Sequence, residues 1–73
     1  MYERRIYLLK LSKSKIECIL ARKRMTTSDI AKEYGVSRSR INYILRKENI
    51  TPICAGKLAA ALNVDVTEII ETN

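Results

Sequence analysis

Histidine is missing from all 73 residues, and the two cysteines, Cys18 and Cys54, stand far apart with no CxxC pair. A zinc site needs a denser ligand set and a disulfide scaffold a denser thiol set, so neither is expected. The thiols are read as reduced and partly buried in helices. Without histidine there is no ready general base. There is also no glycine-rich phosphate loop, and no serine has a base placed to activate it, so the pattern does not point to an enzyme. No cofactor, metal or small-molecule ligand is expected. Long apolar runs are lacking too: Leu58–Leu62, among the longest, spans five residues, against about 20 for a membrane-crossing helix. With no apolar leader pattern either, the chain reads as cytoplasmic, at the nucleoid. The bases do not line one face opposite a broad apolar one, which argues against a membrane-surface helix.

Bases, by contrast, are abundant and unevenly placed. Residues 1–57 hold all 14 lysines and arginines with five acids, and residues 58–73 hold three acids and no base. A basic body of this kind attracts polyanions. At this length one domain with one small core is expected, and only about 60% of the unfolded chain's surface is buried on folding.

Four helical patterns and a shorter fifth run along the chain, with no repeats and no low-complexity segment. The opening "MYERRIYLLKL" places Ile6 and Leu8 on one alternation and Tyr7, Leu9 and Leu11 on the other, so residues 1–11 read as an extended arm or edge strand. Ser12 can cap a helix over about 13–23, with Ile16, Ile19 and Leu20 inward and Arg22 and Arg24 outward. Thr26 with Asp29 forms a capping signal for the second helix, whose inner face is Ile30, Ala31 and Tyr34 and whose stop is Gly35. Val36 fills the corner, and Ser37 caps a third helix over about 37–47. Its apolar face is Ile41, Ile44 and Leu45, and its other face reads Arg38, Ser39, Asn42, Tyr43 and Arg46, with no acid before Glu48. Thr51-Pro52 announces a fourth helix that buries Ile53, Leu58, Ala59 and Leu62, with Gly56 allowing close approach, and that ends at Asn63. Asp65 with Glu68 caps a short fifth helix carrying Val66, Ile69 and Ile70.

Residues 12–71 resemble a Cro/C1-type helix-turn-helix domain of the XRE family of bacterial and phage regulators. The likeness rests on spacing: counting from Thr27, Ala31 supplies the small residue at the fifth position, Gly35 the glycine at the ninth and Ile41 the branched aliphatic at the fifteenth. Ile30, Tyr34, Val36 and Ile44 fill the other buried positions, and "TP...LAAALNVDVTEII" is similar to the family's last two helices. The expected fold is therefore all-α, a five-helix lambda-repressor-like domain preceded by a short arm. Three positions depart from the family. Arg24 stands where glycine often closes the first helix, Thr27 replaces a frequent glutamine, and the glycine between the third and fourth helices is missing, with Asn49 expected in its left-handed role.

The resemblance implies a regulator of transcription, a repressor given its size, that reads double-stranded DNA with its third helix. Its N-terminal part would place Arg38, Ser39, Asn42 and Tyr43 in the major groove, with Tyr43 alternatively a packing rim. Thr27, Arg40, Arg46 and Lys47 would hold phosphates. Ser37 and Thr26 are read chiefly as caps. Proteins of this type work as two-fold dimers, so a weak or DNA-assisted homodimer is expected, through Ile69 and Ile70 or through pairing of the Tyr7–Leu11 arm. The competing reading is a protein-interaction module, antitoxin-like or an anti-regulator partner, that keeps the fold without the DNA. An acidic or bland third helix would favour it, and this helix is basic.

Overall fold

The computed structural model of the chain describes residues 8–71. Its helices begin where short hydroxyl side chains can take up otherwise unpaired backbone N–H groups. Helix α1 spans Lys13–Lys23, with the Ser12 hydroxyl accepting from the Lys15 N–H. Helix α2 spans Thr27–Tyr34 behind a full capping box: Asp29 N–H donates to Thr26 Oγ1 at 3.2 Å, and Thr26 N–H to Asp29 Oδ2 at 2.8 Å. That backbone donor first, then the Thr26 hydroxyl, holds the Asp29 carboxyl below its ordinary value. Helix α3 spans Arg38–Arg46, capped by Ser37, and helix α4 spans Pro52–Leu62, capped by Thr51 with proline at its first position.

Among the described residues, three of the four α-helices stop by one device. Arg24, Gly35 and Asn63 each turn left-handed, and the next N–H reaches back five residues, from Met25 to Leu20, Val36 to Ala31 and Val64 to Ala59. The residue after each turn is apolar and packs against the core. For Arg24, at φ 55°, the backbone accepts a conformation costing about 1–2 kcal/mol for an L residue.

One core is shared by the four helices. Ala55, Leu58, Ala59 and Leu62 of α4 form a stripe at three- and four-residue spacing, and they belong to the same buried cluster as Ile16 and Ile19 of α1, Ile30 and Ala31 of α2 and Ile41 and Ile44 of α3. Ile53, expected on that stripe, is instead 73% exposed, because it lies two residues before Ala55 and so on the far side of the helix. Cys18 is displaced for the same reason: two residues from Ile16, it is exposed, while Cys54 is half-buried. Gly56 does not serve close approach either, since a Cβ there would meet nothing within 4 Å. Gly56→Ala is therefore expected to stabilise the domain by about 0.5–1 kcal/mol, read as a higher urea midpoint at constant slope. A lower midpoint would mean that α4 needs the glycine.

The domain is not purely helical. Strand β1, Leu9–Lys10, pairs antiparallel with strand β2, Asn49–Ile50, in the register Leu9 to Ile50 and Lys10 to Asn49. Leu11 N–H continues the pairing to Glu48 O, and on the opposite side Leu11 bridges Ile70, with Ser12 N–H donating to Ile69 O and Glu71 N–H to Lys10 O. This arrangement corrects three expectations. The fifth helix is a single 3₁₀ turn, Val66–Glu68, because its Asp65–Glu68 box is genuine but the chain beyond is captured by β1. Asn49 is extended in β2 and takes no left-handed role, and α3 ends on an extended Lys47. Of the residues expected to meet a second copy, Ile69 is fully buried within the chain and Leu11 is engaged on both sides, so these two offer it no free surface, while Ile70 is half-buried and Leu8 exposed. Tyr7 and the rest of residues 1–7 lie outside the described residues.

Candidate nucleic-acid interface

Gly35 makes the corner of the α2–α3 pair. At φ +90° it holds a backbone conformation that a side chain would strain, and its N–H closes on Ala31 O at 2.8 Å. Ala31, short and buried, lets the helices approach. Ile41 and Ile44 then fasten α3 from beneath, with Val36 half-buried at the turn. The four motif positions Ala31, Gly35, Val36 and Ile41 thus hold α3 against the body by one face only.

The other face is left to solvent. Arg38, Ser39, Asn42 and Tyr43 are all exposed, as are Arg40, Arg46 and Lys47. Helix α3 contains no acid, and the two ion pairs among the described residues, Lys10–Glu71 and Arg22–Glu68, leave its bases untouched. Ser37 accepts the Arg40 N–H at 3.2 Å, which fixes it as a cap. At the far end the Lys13 ammonium donates to Leu45 O, tying the start of α1 to the last turn of α3.

Within this face the side chains are not equivalent. The Arg40 guanidinium and the Lys47 ammonium each lie 5.2 Å from the centre of the Tyr43 ring. Arg46 folds back, its Nε donating to Asn42 O at 3.4 Å. Thr27 is set apart: it is half-buried and borders a different hollow, with Lys13, Leu20 and Leu45. Arg40 and Lys47 instead border a hollow of about 340 Å³ between α2, α3 and α4. Lys57 of α4 reaches the same hollow and is a base the sequence reading overlooked. Helical phase could have found it, since it falls one turn after Ile53 on the exposed side of α4. Tyr34 and Cys54 form part of the wall, joined by a 3.5 Å hydroxyl–thiol contact that, with burial, pushes the phenol up to about 12 and keeps it neutral.

Three acids, Asp65, Glu68 and Glu71, lie in the C-terminal segment, where Glu68 pairs with Arg22 and Glu71 with Lys10. No helix among the described residues is long and apolar enough to cross a membrane.

Comparison with known proteins agrees with this geometry. The helix-turn-helix family matches residues 19–69, a stretch that contains α2, the Gly35 turn, α3 and α4 whole. No curated protein is significantly similar in sequence. Among solved structures, Form II of the transcriptional regulator VanUg shares the fold, with a TM-score of 0.65 at 22% identity over 97% of this chain and 95% of that one. With the small residue, the glycine corner and the aliphatic anchor in their places beneath an exposed third helix, the chain belongs to the Cro/C1-type helix-turn-helix family of DNA-binding transcriptional regulators.

Proposed function

We propose that the protein is a sequence-specific repressor that lays α3 in the major groove of double-stranded DNA. The observation that carries this reading is the outer face of α3, which is wholly exposed, free of acid and rich in forked and amide donors. Arg38 can fork to guanine O6 and N7, Asn42 can pair with adenine N6 and N7, and Ser39 is permissive. Arg40, Arg46 and Lys47, with Thr27 at the start of α2, hold phosphates and set the register. Occupying a promoter is enough to block transcription and asks for no second contact surface, so repression is the outcome we assign. The protein acts at the nucleoid as a weak or DNA-assisted dimer, because one module reads too few base pairs for useful affinity.

The test is a fluorescence anisotropy titration with random duplex at two salt concentrations. If Arg40, Arg46 and Lys47 each neutralise a phosphate, affinity falls about 40-fold for each module bound between about 50 and 200 mM salt. Absence of binding at the lower salt, or affinity indifferent to salt, overturns the reading and leaves a protein-interaction module on the same scaffold.

A further inference from the structure

We infer that Tyr43 is a positioning residue, which holds Arg40 and Lys47 aimed at the DNA backbone instead of reading a base edge. The inference rests on the DNA-binding reading above and gives one residue of that face a different task. Tyr43 is 48% exposed and does not belong to the core cluster, so core packing does not account for it. What covers the ring is charge. Arg40, one turn before it, and Lys47, one turn after it, both come within 5.2 Å of its centre. That distance lies inside the range in which the negative face of an aromatic ring attracts a cation.

The contact leaves both cations free to bind. A guanidinium lying over a ring keeps its in-plane N–H donors pointing outward, and an ammonium against a ring has further N–H donors to offer. Arginine and lysine otherwise wave through many rotamers, and that freedom must be given up when a phosphate is gripped. A ring that has already selected the useful rotamers removes part of that cost. No acid in α3 competes for the two cations. Each contact of this strength favours the held rotamer about 2- to 5-fold, so the two together are worth about 5- to 30-fold in affinity.

The hydroxyl plays no part in this role, which separates it from base reading. Tyr43→Phe and Tyr43→Ala are compared with the parent in two measurements on the full chain, after circular dichroism has verified the helical fold. In the free protein, NMR is expected to show Arg40 δ-methylene and Lys47 ε-methylene protons shifted upfield by the ring in the parent and in Tyr43→Phe. Those shifts are expected to vanish in Tyr43→Ala. On duplexes, Tyr43→Ala is expected to bind about 5- to 30-fold more weakly by the same factor on every sequence, with Tyr43→Phe restoring the affinity. The inference is overturned if Tyr43→Phe loses as much as Tyr43→Ala, if Tyr43→Ala changes the preferred base at one position, or if the methylene shifts do not depend on the ring. A parent that ignores duplexes overturns it as well, and the methylene shifts, read without DNA, then show whether the ring or the DNA reading was at fault.

Discussion

Ile41→Ala is expected to lower the unfolding free energy by about 2–5 kcal/mol, whereas Ile53→Ala is expected to change it by less than about 0.5 kcal/mol. The same side chain is removed in both, and only its place differs. Ile41 is fully buried between α3 and the body, so truncation loses its transfer from water and leaves a cavity that close-packed neighbours cannot wholly fill. Ile53 is already 73% in water and leaves no void. A domain of this size has about 5–10 kcal/mol in total, so the first change removes a large part of its stability. It also unfastens α3, and duplex binding should fall with the folded fraction. Urea unfolding followed by circular dichroism reads both variants. Equal midpoints would mean that Ile41 does not anchor the recognition helix.

What could be read in advance was local chemistry. Ser12, Thr26, Ser37 and Thr51 each cap the helix expected of them, because a short hydroxyl satisfies an N–H two or three residues on and needs no distant partner. Gly35 stops α2 for a reason equally local. The pattern of Ala31, Gly35 and Ile41 then sufficed to recognise the family, since those three positions are determined by how closely two helices cross.

What could not be read depends on partners far along the chain. The Asp65–Glu68 box promises a helix, and one turn forms, but backbone bonds from Ile69 and Glu71 to the strand near Leu11 are available at once and end it. Asn49 is drawn into extended pairing by the same strand. The residues Leu9–Leu11 therefore account for the missing fifth helix and the extended Asn49. Ile53 and Cys18 differ in kind: hydrophobicity alone places both inward, whereas helical phase puts them outside. On the exposed face of α3, residue type is visible from the third helical pattern. The grouping of Arg40 and Lys47 on one ring was not, because rotamers decide it.

Arg38→Ala is expected to relax sequence preference at a single base pair by about 5- to 150-fold while binding to random duplex persists. Arg38 is the first residue of α3, at the end that enters the groove most deeply in this kind of motif, and it is exposed with no acid in its helix to hold it. A forked contact to guanine gives two hydrogen bonds that no other base pair can accept in the same geometry, so its loss is felt at one position only. Lys47→Ala supplies the contrast: a phosphate contact carries no base information, and its loss should weaken every duplex alike and reduce the salt slope by about 1. Selection of bound sites from randomised duplexes, run on the parent and both variants, separates the two patterns. An Arg38→Ala protein that selects the parent's sites unchanged would place the reading of sequence elsewhere on the molecule. If Arg38→Ala and Lys47→Ala gave the same uniform loss, the face would be holding DNA by charge alone, and the sequence-specific part of the proposed function would fall while the basic surface kept its role.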